Sequence, residues 1–84
     1  MIPGSYVEKA ASIQKLLIEN GYHVSRHACD MMVYYGDKLV GCIYVYKDEC
    51  IFSVYNPWRE ENSEHIVFIK YLVNKICLRT RTKY

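Results

Sequence analysis

The residues best equipped for chemistry sit in one short stretch, His23, Arg26, His27 and Asp30. Imidazoles beside a carboxylate suit proton transfer, and a His-x₃-His pair suits a metal when a helix puts both rings on one face. Here the stretch follows a helix stop and reads as extended or turning, which sets His23 and His27 apart and leaves no third ligand nearby. General acid–base work needs a positioned partner. Asp30 or the Glu64-His65 pair are the available groups, and nothing local demands either. The four cysteines, Cys29, Cys42, Cys50 and Cys77, include no C-x₂-C pair and match no metal spacing. They are expected to be reduced thiols packed as small apolar groups. The expectation is a chain that is not an enzyme, with no cofactor, no metal and no catalytic residue.

Binding chemistry is more visible. Residues 41–55, GCIYVYKDECIFSVY, read as a β-hairpin that is apolar on both faces. A two-residue turn at Asp48-Glu49 sets Val45 opposite Phe52 and Ile43 opposite Val54, so these four share a face. Cys42, Tyr44, Tyr46, Ile51, Ser53 and Tyr55 share the other. Extending the pairing through a Gly36-Asp37 turn adds Val33 with Val40, and Met31 with Cys42, to the tyrosine side. Aromatic residues dominate the energetic centres of interfaces, and burying each tyrosine would contribute ~1.5–3 kcal/mol by area. Tyr44, Tyr46, Tyr55 and Ile51 are therefore the expected partner-binding residues, with Trp58 of the YNPWREEN segment as a peripheral anchor.

The elements that must position these groups follow from periodicity. A first helix is predicted over about Tyr6–Asn20, with Ser5 and Glu8 as a capping box and Tyr6, Ala10, Ile13, Leu16 and Leu17 on one face. Gly21 is its C′ stop. Strands are predicted at about Tyr22–Ser25, Met31–Tyr35, Leu39–Tyr46 and Cys50–Tyr55. Asn56-Pro57 is either the cap of a long helix or part of a loop ahead of a Ser63 cap. The second is favoured, because the apolar period of Ile66, Ile69, Val73 and Ile76 begins only there, giving a helix over about Glu64–Leu78. The chain is then one α+β domain over residues 1–78 with a frayed basic tail over 79–84. It has two layers, in the order α-β-β-β(-β)-α, with an antiparallel sheet and both helices on one face.

Eighty-four residues bury a thin core, and domains of this size often gain stability from self-association. A 51% hydrophobic and 24% charged composition is that of a folded protein. The longest apolar run, Ile66–Ile69, is too short to span a bilayer. MIPGSYVEK has no basic stretch followed by an apolar one, so a cytoplasmic protein is expected. The net charge of +2 is not that of a dedicated nucleic-acid binder. Its distribution is uneven, with five positive residues and no acid from Lys70 to Tyr84, and Glu60, Glu61 and Glu64 just upstream.

The α-β-β-β-α order resembles the double-stranded-RNA-binding fold, which implies phosphate contacts from lysines at the start of the second helix. That position here is Arg59-Glu60-Glu61-Asn62-Ser63-Glu64, which is acidic and repels phosphate. Residues 16–35, LLIENGYHVSRHACDMMVYY, resemble the opening of HicA-type toxin ribonucleases, with Gly21, Tyr22 and Arg26 at matching positions. The family's Gly-Ser-His falls on Cys29-Asp30-Met31, so its catalytic histidine is a methionine here. That resemblance implies a shared fold without the nuclease.

The functional expectation is a small interaction or inhibitor protein that docks a protein partner or a second copy through its tyrosine face. Compact chains without catalytic residues are typical of phage or mobile-element inhibitors. The alternative is an RNA- or DNA-binding module using Lys70, Lys75, Arg79 and Arg81, each phosphate contact adding salt-dependent affinity.

Overall fold

The computed structural model describes residues 5–84. The chain runs through helix α1 (Ser5–Glu19), strands β1 (His23–His27), β2 (Asp30–Tyr35), β3 (Lys38–Val45) and β4 (Cys50–Val54), a 3-10 turn at Asn56–Trp58, helix α2 (Ser63–Ile76) and strand β5 (Thr80–Lys83). The expected Ser5–Glu8 box depends on the Ser5 side chain, which lies outside the described residues. The far end of α1 closes on a Schellman pair, Tyr22 N–H to Leu17 C=O and Gly21 N–H to Ile18 C=O, each 3.1 Å. This geometry needs a left-handed residue, and Gly21 supplies it at φ +96°.

The five strands lie side by side in the order β1-β2-β3-β4-β5. Four form an antiparallel meander, and β5 adds parallel to β4. Both helices pack on one face. Ala10, Ile13 and Leu17 of α1 and Ile66, Ile69, Leu72 and Val73 of α2 are buried with Val24, Met31, Val33, Ile43, Val45, Phe52 and Val54 of the sheet. Tyr6, expected on the buried side of α1, is exposed. Asn62 rather than Ser63 takes the cap position of α2, and its side chain makes no capping bond.

Three departures from the sequence reading matter for function. The first is at the β2–β3 ladder. Tyr35 pairs with Lys38 and Tyr34 with Leu39, as a Gly36-Asp37 turn requires, but Val33 then pairs with Gly41 and Met31 with Ile43. Val40 is the extra residue of a β-bulge. One inserted residue reverses the parity of everything beyond it. Met31, Val33 and Val40, expected beside the tyrosines, are therefore buried in the core at 0–1% exposure. The β3–β4 register also differs, with Ile43 opposite Phe52 and Val45 opposite Cys50. That is a slip of two residues, which leaves the paired side chains of 41–45 and 50–54 on their predicted faces.

The second departure is the chain end. Thr80–Lys83, expected as a frayed tail, is strand β5, aligned with Cys50–Ser53 of β4. Thr80 and Thr82 turn inward half-buried, and Arg81 and Lys83 are exposed. The charged residues suit an edge strand, because they discourage further strand addition.

The third is the cysteines. Cys50, at the start of β4, and Cys77, just beyond α2, form a disulfide, so the expected reduced state does not hold for this pair. Helix α2 travels back along the sheet to feed a parallel strand, and a parallel crossover must return to the end at which β4 began. That return brings together two cysteines 27 residues apart. Cys29 and Cys42 remain free.

Candidate interaction surface

The face of the sheet opposite the helices carries alternate residues of every strand: His23, Ser25 and His27 of β1, Met32 and Tyr34 of β2, Cys42 and Tyr44 of β3, Ile51 and Ser53 of β4, and Arg81 and Lys83 of β5. Among the described residues no helix or loop segment forms a second layer over it. Tyr44 and Ile51 stand directly opposite each other at its centre. A hollow of about 230 Å³ opens beside Tyr44, lined also by Ser25, His27, Asp30, Met31, Met32 and Cys42. The Tyr44 phenol titrates above its ordinary value. The Cys42 sulfur is the main cause, followed by burial, and Asp30 and Tyr46 add smaller effects. Tyr44 therefore presents a neutral hydroxyl to a partner at any physiological pH.

The other predicted contact residues are spread along the hairpin. Tyr46 is exposed beyond the end of β3, where its amide bonds Glu49 C=O at 2.8 Å. Tyr55 lies past the opposite end of β4, its ring edge-on to Trp58 at 5.5 Å. Tyr44 and Ile51 thus belong together, Tyr46 follows at the hairpin end beside a hollow shared with Tyr6, Cys29 and Arg79, and Tyr55 and Trp58 form a satellite at the far end. Met32 and Tyr34, not among the expected contact residues, also belong to this surface. Their periodicity was legible, but without the bulge it assigns them to the core.

The basic residues of the nucleic-acid reading are not gathered into one patch. Lys70 and Lys75 lie on α2 in the helix layer, and the Lys75 ammonium sits 4.8 Å from the centre of the Tyr71 ring. Arg81 lies on the sheet, with Nε 3.0 Å from Glu49. Arg79 N-terminal to β5 lends its carbonyl to Cys50 N–H.

His23 and His27 stand at the two ends of β1, both exposed, and no group of three potential metal ligands occurs among the described residues. Arg26 turns to the helix side, donating from Nε to Gln14 Oε1 at 2.7 Å and from Nη1 to Ala28 C=O at 2.8 Å. It braces a turn in which Ala28 adopts φ +57°. The histidine with a partner is His65, whose Nδ1 is hydrogen-bonded to the Tyr22 hydroxyl at 2.8 Å and whose ring stacks on Tyr35 at 3.8 Å. This cluster borders a hollow of about 340 Å³ that also reaches Lys38, Glu61 and Asn62. Lys38 and Glu61 are ion-paired there, and Asn62 Nδ2 is buried without a partner. The cluster holds α2 against β1 and β2. Among the described residues no carboxylate bonds the imidazole.

Burial, then the neighbouring Tyr35, pushes the Tyr22 phenol above its ordinary value. A raised folded-state value stabilises the protein below the unfolded value and is lost as pH climbs through the folded one. Stability is therefore expected to hold up to about pH 10 and fall above it. Tyr22→Phe should remove the hydrogen bond at a cost of about 1 kcal/mol, lowering the melting temperature by roughly 5 °C in a chain of this size. An unchanged melt would show that the pair contributes nothing.

Comparison with family models, with curated proteins and with solved structures finds no match to this chain.

Proposed function

We propose that the chain is a non-catalytic interaction protein that docks a protein partner on the uncovered face of its sheet and so obstructs that partner. One observation carries this reading: all the helical mass lies on one side of the sheet, leaving Met32, Cys42 and Tyr44 around a hollow of about 230 Å³ on the other, with Ile51 opposite Tyr44. Contiguous apolar surface of this kind is seldom left without a use. A hollow beside a tyrosine is the usual seat of a binding hot spot.

Charge favours a protein over a nucleic acid. On the face itself Arg81 is paired with Glu49, which leaves Lys83 as the remaining cation of the strands. A near-neutral aromatic surface stacks bases poorly without cations to hold the phosphates. No helix among the described residues is long and apolar enough to cross a membrane. A cytoplasmic site of action is part of the proposal only if the Cys50–Cys77 pair is reduced in the cell, since cytosolic thiols stay reduced.

The reading is tested by selecting ligands from a random-peptide display library against the full chain. Selected peptides are expected to carry aliphatic or aromatic anchors. Tyr44→Ser with Tyr46→Ser should weaken them at least ten-fold and leave the far-ultraviolet circular dichroism unchanged. Peptides indifferent to the double substitution would overturn the assignment. So would tyrosine-dependent binding of single-stranded RNA or DNA at low salt.

A further inference from the structure

We propose that the chain also self-associates, through the outward face of α2 packed antiparallel on the same face of a second copy. Helix α2 buries one side against the sheet, yet its opposite side is not polar. Val67 is 68% exposed, Tyr71 58% and Phe68 38%. At 100° per residue, Glu64, Val67, Phe68, Tyr71 and Lys75 fall in a stripe about 100° wide, the width a neighbouring helix covers. The Phe68 and Tyr71 rings are already parallel within 16°, with centres 6.3 Å apart. With Val67 they make the centre of the stripe apolar, and the Lys75 ammonium, 4.8 Å from the Tyr71 ring centre, borders it.

Charge selects the occupant. The stripe begins with an acid, Glu64, and ends with a base, Lys75. A two-fold axis midway between Phe68 and Tyr71 sets Glu64 against Lys75 of the second copy and Phe68 against its Tyr71, each pairing occurring twice. The spacing from Glu64 to Lys75 is about 16 Å at 1.5 Å per residue, so both ion pairs flank the same aromatic centre. A parallel arrangement would set acid on acid and base on base. The stripe is therefore self-complementary in one orientation only, as an isologous contact must be. One helix pair is a small contact, so dissociation in the micromolar range is expected. This surface lies on the helix layer, across the protein from the sheet face, and one copy can occupy both.

The test is sedimentation equilibrium of the full chain from 1 to 200 µM. A concentration-dependent dimer is expected. Glu64→Lys alone and Lys75→Glu alone should each weaken it about ten-fold or more by setting like charges together, and the two changes in one chain should restore it. Because the swaps also oppose the helix dipole, Val67→Gln is the second probe. It changes no charge and no buried contact, and should also weaken the dimer. A wild-type monomer throughout the range would overturn the proposal. A dimer insensitive to all three variants, or one lost on Tyr44→Ser with Tyr46→Ser and unaffected by the swaps, would overturn it as well.

Discussion

Cys50→Ala, Cys77→Ala and the double variant are each expected to lower the melting temperature by about 15–25 °C. The bond closes a loop over a separation of 27 residues. In the chain-entropy account, removing such a constraint from the unfolded state costs about 3.5 kcal/mol. In a domain of this size each kcal/mol moves the transition by roughly 4–8 °C. The effect is large relative to a total stability of about 5–15 kcal/mol. Both sulfurs lie in the core, Cys50 at 0% and Cys77 at 2% exposure, so water does not replace the lost contact. The three variants should nearly coincide, since each breaks the same bond and the effects of residues in contact are not additive. Reduction of the wild type should reproduce the shift. Calorimetry with and without reductant checks this, and a melting temperature indifferent to all four conditions would remove the bond from the account. Alkylation of thiols in an acid-quenched lysate, followed by mass measurement, reports the state in the cell. Two labelled cysteines per chain indicate the bond and four indicate its absence.

Gly41→Ala is the second large effect, with an expected loss of about 3 kcal/mol. A Cβ built at Gly41 lies 2.5 Å from the Ser53 carbonyl oxygen and 2.6 Å from Cε1 of Phe52. Neither neighbour can yield cheaply. The carbonyl belongs to the paired strand β4, and Phe52 is fully buried. Overpacking of this kind typically costs 1–3 kcal/mol and at times more. The contrast with Gly21 and Gly36 is informative. Both have positive φ, and a Cβ at either meets nothing within 4 Å. Alanine there imposes backbone strain of about 1–2 kcal/mol. Urea unfolding should rank Gly41→Ala well below the other two variants. Equal losses at all three would mean that β3 and β4 are not packed as described.

Local patterning was enough for much of this molecule. Helix α1 with its Gly21 stop, helix α2, the hairpins and the two faces of β3 and β4 follow from short-range periodicity and turn chemistry, and a register slip of two leaves faces unchanged. Tyr44 and Ile51 could therefore be assigned to an outward surface before any tertiary contact was known. The rest depended on long-range assembly. One bulge residue, Val40, exchanged Met31 and Val33 for Met32 and Tyr34 on the uncovered face, because side-chain direction reverses with every inserted residue. Strand β5 has no apolar residue to announce it and exists because β4 offers an edge. The Cys50–Cys77 bond and the Tyr22–His65 pair join residues 27 and 43 apart, separations that no local pattern encodes. They form only once α2 has crossed the sheet, since the path of that crossover sets which distant side chains meet.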